Sequence, residues 1–226
     1  MYFRPILAGV ATGDRVRAGI GAGIAIALTG IAAAWLTGAG SVPLLVAPIG
    51  ASAVLVFAVP ASPLGQPWPV IGGNMLSALW GMLVAHVVPD HAVAAGLAVG
   101  GAIVVMSLLR CLHPPGGAVA LASVLAAGQA RPDWLFPWLP VVIDSALLVL
   151  GGIVFHRLVR HAYPHRTAAP APSSAAAFAP EDVDAALAEM HESFDIARAD
   201  LDALLDAAAL HAALRRERSA RSSPRR

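Results

Sequence analysis

Long apolar runs alternate with short stretches rich in proline, glycine or charge. Residues 18–37 form a first run of about 20 residues, enough for a helix to cross about 30 Å of hydrocarbon. Residues 43–59 form a shorter run with Pro43 and Pro48 near its start. A proline-rich loop, 60–69, precedes a third run at 70–88. Asp90 and His91 mark a tight turn before a fourth run at 92–109. A fifth run, 114–128, is again short and opens on Pro114 and Pro115. A loop at 129–140 with Trp134 and Trp138 leads into the sixth run, 141–158, which stops in the basic residues 156–166. Residues 1–17 are mixed and are expected to lie at the membrane interface.

The pattern repeats. Pro48-Ile49-Gly50-Ala51-Ser52-Ala53-Val54-Leu55 matches Pro114-Pro115-Gly116-Gly117-Ala118-Val119-Ala120-Leu121. Asn74 and Gly81 in the third run correspond to Asp144 and Gly151 in the sixth. A three-crossing unit that recurs must run in opposite directions in its two copies. Paired short, proline-interrupted segments in such copies point to a transporter site. The predicted fold is therefore an all-α membrane protein of about six membrane segments. It forms two inverted three-segment repeats, with segments two and five short or re-entrant, followed by a small cytoplasmic helical tail. Gly19/Gly23 and Gly96/Gly100 supply GxxxG spacing, read as close-packing faces.

Composition supports the membrane reading. Charged residues make up 13% of the chain, about half the soluble norm, and most acids lie beyond residue 170. A net charge of +1 gives no reason to expect a nucleic-acid partner. Cys111 is the single cysteine, so no intrachain disulfide forms. No cleaved signal peptide is expected at the N-terminus. Six crossings put Arg4, Arg15, Arg17, Arg110, Arg157 and Arg160 on one side and Arg131 on the other. That bias predicts a multi-pass protein of the cell (inner) membrane with both termini cytoplasmic.

The candidate chemistry centres on Arg110-Cys111-Leu112-His113-Pro114-Pro115-Gly116-Gly117. Helix starts carry free amides and partial positive charge, and these glycines leave the amides uncovered. Gly50, Ala51 and Ser52 would form the partner helix start. His113 reads either as a cap or as a substrate or proton ligand. Arg110 either snorkels to the surface or faces the cavity as a cation for an anion. Asp144 either reaches the interface or pairs with Arg110 or His113. Asn74 and Ser77 bond between helices or touch the ligand, and Gln66 is either a turn residue or a site residue. The predicted substrate-binding set is thus Arg110, His113, Pro114, Pro115, Gly116, Gly117, Gly50, Ala51, Ser52, Asn74, Asp144 and Gln66. No zinc-protease, CxxC or phosphate-loop pattern appears, so neither enzyme activity, a metal nor a cofactor is expected.

These residues resemble the HPP family of integral membrane proteins, named for the tripeptide present here as His113-Pro114-Pro115. The likeness extends through Pro48 to Phe57, through Pro60, Pro63, Leu64, Gln66 and Pro67, and through Gly72-Gly73-Asn74 with Ser77-Ala78. It covers roughly residues 14–160. The resemblance implies four membrane helices, fewer than the six segments read here. It also implies a transporter, with nitrite the substrate suggested for some members. The chain divides into a transmembrane domain at 1–162, an Ala/Pro/Ser linker at 163–179 and an amphipathic tail at 180–226. Asp195 is the expected cap of the second tail helix, 197–216. The tail resembles the segment that precedes CBS domains in longer members, and no CBS domain is expected in this sequence.

The leading expectation is a transporter or channel for a small inorganic anion. The expected partners are the lipid bilayer and that anion, with GxxxG faces or tail helices serving a homo-oligomer. The alternative is a non-transporting scaffold or sensor that recruits a partner through its C-terminal helices. A membrane enzyme using His113 and Asp144 is a third reading.

Overall fold

A computed structural model describes residues 12–37, 45–127, 134–166, 178–190 and 195–222. Among these residues there are eight α-helices and no strand: α1 (Thr12–Thr37), α2 (Ile49–Ala58), α3 (Asn74–Val87), α4 (His91–Leu108), α5 (Pro114–Ala127), α6 (Ile143–Leu158), α7 (Pro180–Met190) and α8 (Arg198–Ser222). Single π-helical turns, Pro69–Gly73 and Pro137–Val142, lead into α3 and α6. Each starts on a proline, which fits a helix start because it has no amide to leave unpaired.

Four helical segments are long and apolar enough to cross a membrane: Thr12–Trp35, Pro69–Val87, His91–Leu108 and Pro137–Leu158. The segments at Ile49–Ala58 and Pro114–Ala126 are apolar but shorter. At 1.5 Å per residue α2 is about 15 Å long, roughly half a bilayer core. The order long, short, π-started helix thus occurs twice. The first long helix begins at Thr12, so 12–17 is helical and continuous with the apolar run at 18–37. The last begins four residues before the apolar run at 141, because Pro137 and Pro140 are accommodated in the π turn.

The chain divides into two units, Met1–His165 and Arg166–Arg226. In the first, α3 packs on α4 and α5, while α6 packs on α1 and α2. Each third helix therefore leaves its own half and fills the other. Contacts sort the helix ends. The start of α1, the end of α2 and the end of α6 line one cleft. The Trp68 indole donates to the Leu109 carbonyl at 3.3 Å, which brings the end of α4 to the same side. At the opposite end, the Val46 amide donates to Asp144 at 2.9 Å and the His86 and Trp134 rings meet at 6.4 Å. Trp68, at one end, and Trp134 and Trp138, near the other, are exposed, as interfacial anchors are.

Both α4 and α6 end in the same way. Arg110 and Arg160 have left-handed backbone, φ 54° and 60°. The Cys111 amide reaches back to the Met106 carbonyl and that of His161 to the His156 carbonyl, each at 2.9 Å. These are Schellman turns with arginine where glycine is usual. At the start of α4, the Asp90 carboxylate accepts from the Val93 amide at 2.9 Å.

Close packing within the described chain does not use the GxxxG glycines. A Cβ on Gly19, Gly23, Gly96 or Gly100 would meet nothing within 4 Å, so these faces point away from the rest of the chain. The tight contacts occur elsewhere. A Cβ on Gly81 would lie 2.5 Å from the Ala120 carbonyl oxygen, and one on Gly73 would lie 2.7 Å from that of Cys111. One on Gly116 would lie 2.7 Å from the Ser77 hydroxyl. The α3–α5 interface is thus built on backbone contact. Spacing alone did not reveal which glycines face a neighbour.

In the second unit, the Asp182 carboxylate accepts from the Ala179 amide at 2.9 Å, which caps α7. Arg198 at the start of α8 bonds Asp184, Asp202 and the Pro180 carbonyl, tying α8 to α7. The second tail helix begins three residues beyond Asp195 and runs past Arg216 to Ser222. Most of the expected linker, 167–177, lies outside the described residues.

Gly81→Ala is expected to cost about 1–3 kcal/mol because the α3–α5 backbones must separate. Gly96→Ala should be neutral or slightly stabilising. Thermal unfolding in detergent distinguishes the two; equal melting temperatures would contradict the packing described.

Candidate functional site

Polar groups are costly in an apolar bundle unless they bond one another. Ser52, Asn74, Ser77, His113, Asp144 and Ser145 are all fully buried. Four of them form a connected set. The His113 Nε2 lies 2.8 Å from the Ser52 Oγ. The Asn74 Nδ2 donates to the Ser52 Oγ at 3.3 Å and to the Ser145 Oγ at 3.1 Å. The His113 Nδ1 lies 2.9 Å from the Leu64 carbonyl oxygen.

These partners assign the protons. A carbonyl only accepts, so Nδ1 carries a hydrogen and donates to Leu64. In the neutral ring Nε2 then accepts from the Ser52 hydroxyl. Ser52 in turn accepts from Asn74. The result is one directed chain, from the Asn74 amide through the Ser52 hydroxyl and the His113 ring to the Leu64 carbonyl. Two acceptors close by in sequence or space lack a protein partner: Asn74 Oδ1 and Asp144 Oδ1. The other Asp144 oxygen accepts from Val46.

The cluster stands where the starts of two short helices meet the interiors of two long ones. Ser52 is in the first turn of α2 and His113 directly precedes α5, whereas Asn74 and Ser145 lie just where the π turns pass into α3 and α6. Gly73 and Gly116 allow the approach, since any Cβ on either would strike the 111–113 segment, Met106 or Ser77. Ser77 donates to the Met106 sulfur at 3.3 Å beside them.

The loop that positions His113 is itself braced. Gln66 Nε2 donates to the Pro60 and Ser62 carbonyls at 2.9 and 2.8 Å, and its Oε1 accepts from the His165 amide at 2.8 Å. The Tyr163 hydroxyl donates to the Gly65 carbonyl at 3.0 Å, and burial pushes its pKa upward. The segment after α6 thereby clamps the loop that carries Leu64. These bonds also explain why the first unit extends to His165. His156, also buried, bonds the Val56 carbonyl through Nε2 at 2.8 Å.

Of the residues expected to bind substrate, the structure brings together Ser52, Asn74 and His113, with Gly116 packed beside them. Pro115 is buried; Pro114 is exposed and Gly117 half-buried. Gly50 and Ala51 are exposed. The amides at the start of α2 are occupied locally: those of Ile49, Gly50, Ala51 and Ser52 all bond carbonyls of residues 46–48. The Gly116 amide bonds the His113 carbonyl at 2.8 Å. The two helix starts therefore meet through side chains rather than through uncovered amides. Arg110 is exposed in its left-handed turn, away from the buried set, and Asp144 pairs with neither Arg110 nor His113 in the bonds described. Gln66 acts as a loop brace. Sequence reasoning missed Ser145, Leu64 and Tyr163. A lone serine in a span reads as bonding its own helix, and a carbonyl has no sequence signature. Among the described residues no group of three or more His, Cys, Asp or Glu could hold a metal.

The HPP transmembrane region model matches residues 8–164, which includes every residue of this cluster. The chain belongs to the HPP transmembrane family. Two transmembrane proteins of Dictyostelium discoideum are each 35% identical to it, one over 125 residues (53% of this chain, 44% of the relative) and one over 120 residues (51% and 39%). The matched part thus spans less than half of those relatives' length. No solved structure matches. The tripeptide of this HPP protein is used as three distinct parts: His113 bonds Ser52 and Leu64, Pro114 starts α5, and Pro115 is buried behind it.

Removing either partner of the Ser52–His113 bond should cost about 1–3 kcal/mol by leaving a buried polar atom unpaired. In a double-mutant cycle, Ser52→Ala and His113→Ala should be non-additive by at least about 0.5 kcal/mol. Additive losses in melting measurements would mean the bond is absent in the membrane protein. Arg110→Gly should stabilise the fold by about 1 kcal/mol by relieving the left-handed turn; a marked loss would give the Arg110 side chain a structural role not seen here.

Proposed function

We propose that this HPP protein is a membrane transporter for a small inorganic anion of the nitrite kind. The observation that carries the reading is the hydrogen-bonded chain Asn74–Ser52–His113–Leu64, whose three polar side chains are fully buried and in which the start of α2 meets the start of α5. The starts of α2 and α5 favour negative charge through their dipoles, and the Ser52 hydroxyl and Asn74 amide become donors to an anion once their present bonds part. The orphaned oxygens of Asn74 and Asp144 call instead for a donor. A nitrite-like ion moving together with a proton answers both demands and avoids carrying a bare charge through hydrocarbon. His113 and Asp144 are the groups that would take and pass that proton.

The two halves, with their exchanged third helices, serve as the moving bodies of an alternating-access cycle. The Ser52–His113 bond joins them and breaks when the site opens. Arg15, Arg17, Arg110, Arg157 and Arg160 lie towards the helix ends gathered around Pro60. The positive-inside rule makes that end cytoplasmic. The transport activity needs no enzymatic step. One feature favours a second role in recruiting a partner: Leu204 and Leu210 on α8 are 60% and 58% exposed.

Proteoliposomes loaded with the full chain should take up labelled nitrite faster than protein-free vesicles, and an inward proton gradient should raise the rate. His113→Ala and Asn74→Ala should each lower the protein-dependent rate at least about tenfold, the effect of roughly 1.4 kcal/mol on a barrier, while Arg110→Ala retains it. Flux equal to that of empty vesicles would end the nitrite reading. Native flux in both cluster variants would remove the site from the pathway.

A further inference from the structure

Beside the bundle lies a second feature, separate from the polar cluster. Arg15, Arg17 and His161 surround a cleft of about 300 Å³ whose floor includes Phe57, Phe155 and Val159. Among the described residues Asp14 is the one acid lining it, and it pairs with Arg17 at 3.1 Å. Two arginines against one aspartate give the cleft a basic lining.

The cleft does not stand alone. A groove of about 370 Å³ runs between α1 and α6, lined by residues such as Ile24, Leu28, Leu150 and Val154. Phe57 and Phe155, whose rings meet at 5.2 Å, line both cavities, so the basic cleft and the apolar groove adjoin. Small residues bring α1 and α6 together at the base of the groove: Gly151 lies against Ala25, where an added Cβ would sit at 3.3 Å, and the Phe155 ring packs on Gly21. The groove walls include Ile24, Leu28, Leu150 and Val154, each more than half or about half exposed on a surface facing hydrocarbon.

A basic cup at helix ends, adjoining an apolar furrow along the same helices, matches the charge and polarity profile of an anionic phospholipid. We propose that this surface binds one such lipid, with its phosphate between Arg15, Arg17 and His161 and an acyl chain along the α1–α6 groove. Basic pockets between membrane helices recognise anionic headgroups in this way, and each arginine at the surface contributes about a fivefold gain in binding. A soluble phosphate would use the cup and leave the furrow empty; a zwitterionic lipid would use the furrow but gain less from the cup, because its ammonium group offsets the charge of its phosphate. The bound lipid would join α1 to α6, the helix that carries Ser145, so occupancy would brace one side of the bundle.

The test uses the purified full chain in an uncharged detergent, with native mass spectrometry to count bound lipid and thermal unfolding to follow stability. Dioleoyl phosphatidylglycerol should be retained at one molecule per chain and should raise the melting temperature. Dioleoyl phosphatidylcholine should bind more weakly, by about 25-fold if two arginines act independently. Glycerol phosphate and inorganic phosphate should produce no shift. The Arg15→Gln, Arg17→Gln double variant should melt at the native temperature without lipid and lose the preference for phosphatidylglycerol. Equal binding of the two lipids, or an unchanged preference in the double variant, would overturn the proposal. A shift with inorganic phosphate as large as that with lipid would reassign the cup to a soluble anion. The uptake experiment above can fail without touching this result, since none of these residues belongs to the polar cluster.

Discussion

An imidazole enclosed by an apolar bundle sets the terms for this structure. His113 has both ring nitrogens engaged, one on the Leu64 carbonyl and one on Ser52. Either partner, if lost, would leave a polar atom stranded at a cost comparable to a sizeable part of a protein's net stability. Satisfying that ring requires the 60–66 loop to fold inward and α2 to begin beside α5. Much else follows from those two demands. Gln66 and Tyr163 hold the loop, and Asn74 completes the Ser52 hydroxyl and ties in α6 through Ser145.

The second constraint is steric. α3 meets the 111–113 segment, Met106 and α5 this closely only because Gly73, Gly81 and Gly116 lack side chains. Without a large hydrophobic driving force between helices in lipid, such close backbone contact is a principal source of cohesion. The polar cluster and the glycine interface are therefore interdependent. Separating α3 from α5 would also pull Asn74 away from Ser52.

The exchange of third helices gives the cluster its reach. Since α3 fills the α4–α5 half and α6 fills the α1–α2 half, Asn74 and Ser145 bond each other across the division. A relative movement of the halves acts on those bonds directly. The outward faces carry different chemistry: the exposed GxxxG glycines leave a smooth surface, while the cleft beside Arg15 and Arg17 is charged at its rim.

Run length, proline placement and charge scarcity were enough to announce an all-helical membrane protein with two short segments, and the ordered Pro, Gly, Asn and His positions were enough to announce its family. Those properties are local: helix length follows from composition, and proline stops a helix wherever it falls. The sequence also singled out His113, Ser52 and Asn74, because polar groups in apolar runs are conspicuous. Only the tertiary structure decided who bonds whom. It paired Ser52 with His113 across 61 positions of chain, brought Ser145 into the set, and turned Arg110 outward in a left-handed helix end. It also showed that the amides expected to face a ligand already bond the preceding turn. The reason is that a helix start exposes amides in principle, but whether they stay open depends on the path of the chain just before it. The direction of a side chain in a bundle depends likewise on crossing geometry, which no single segment encodes.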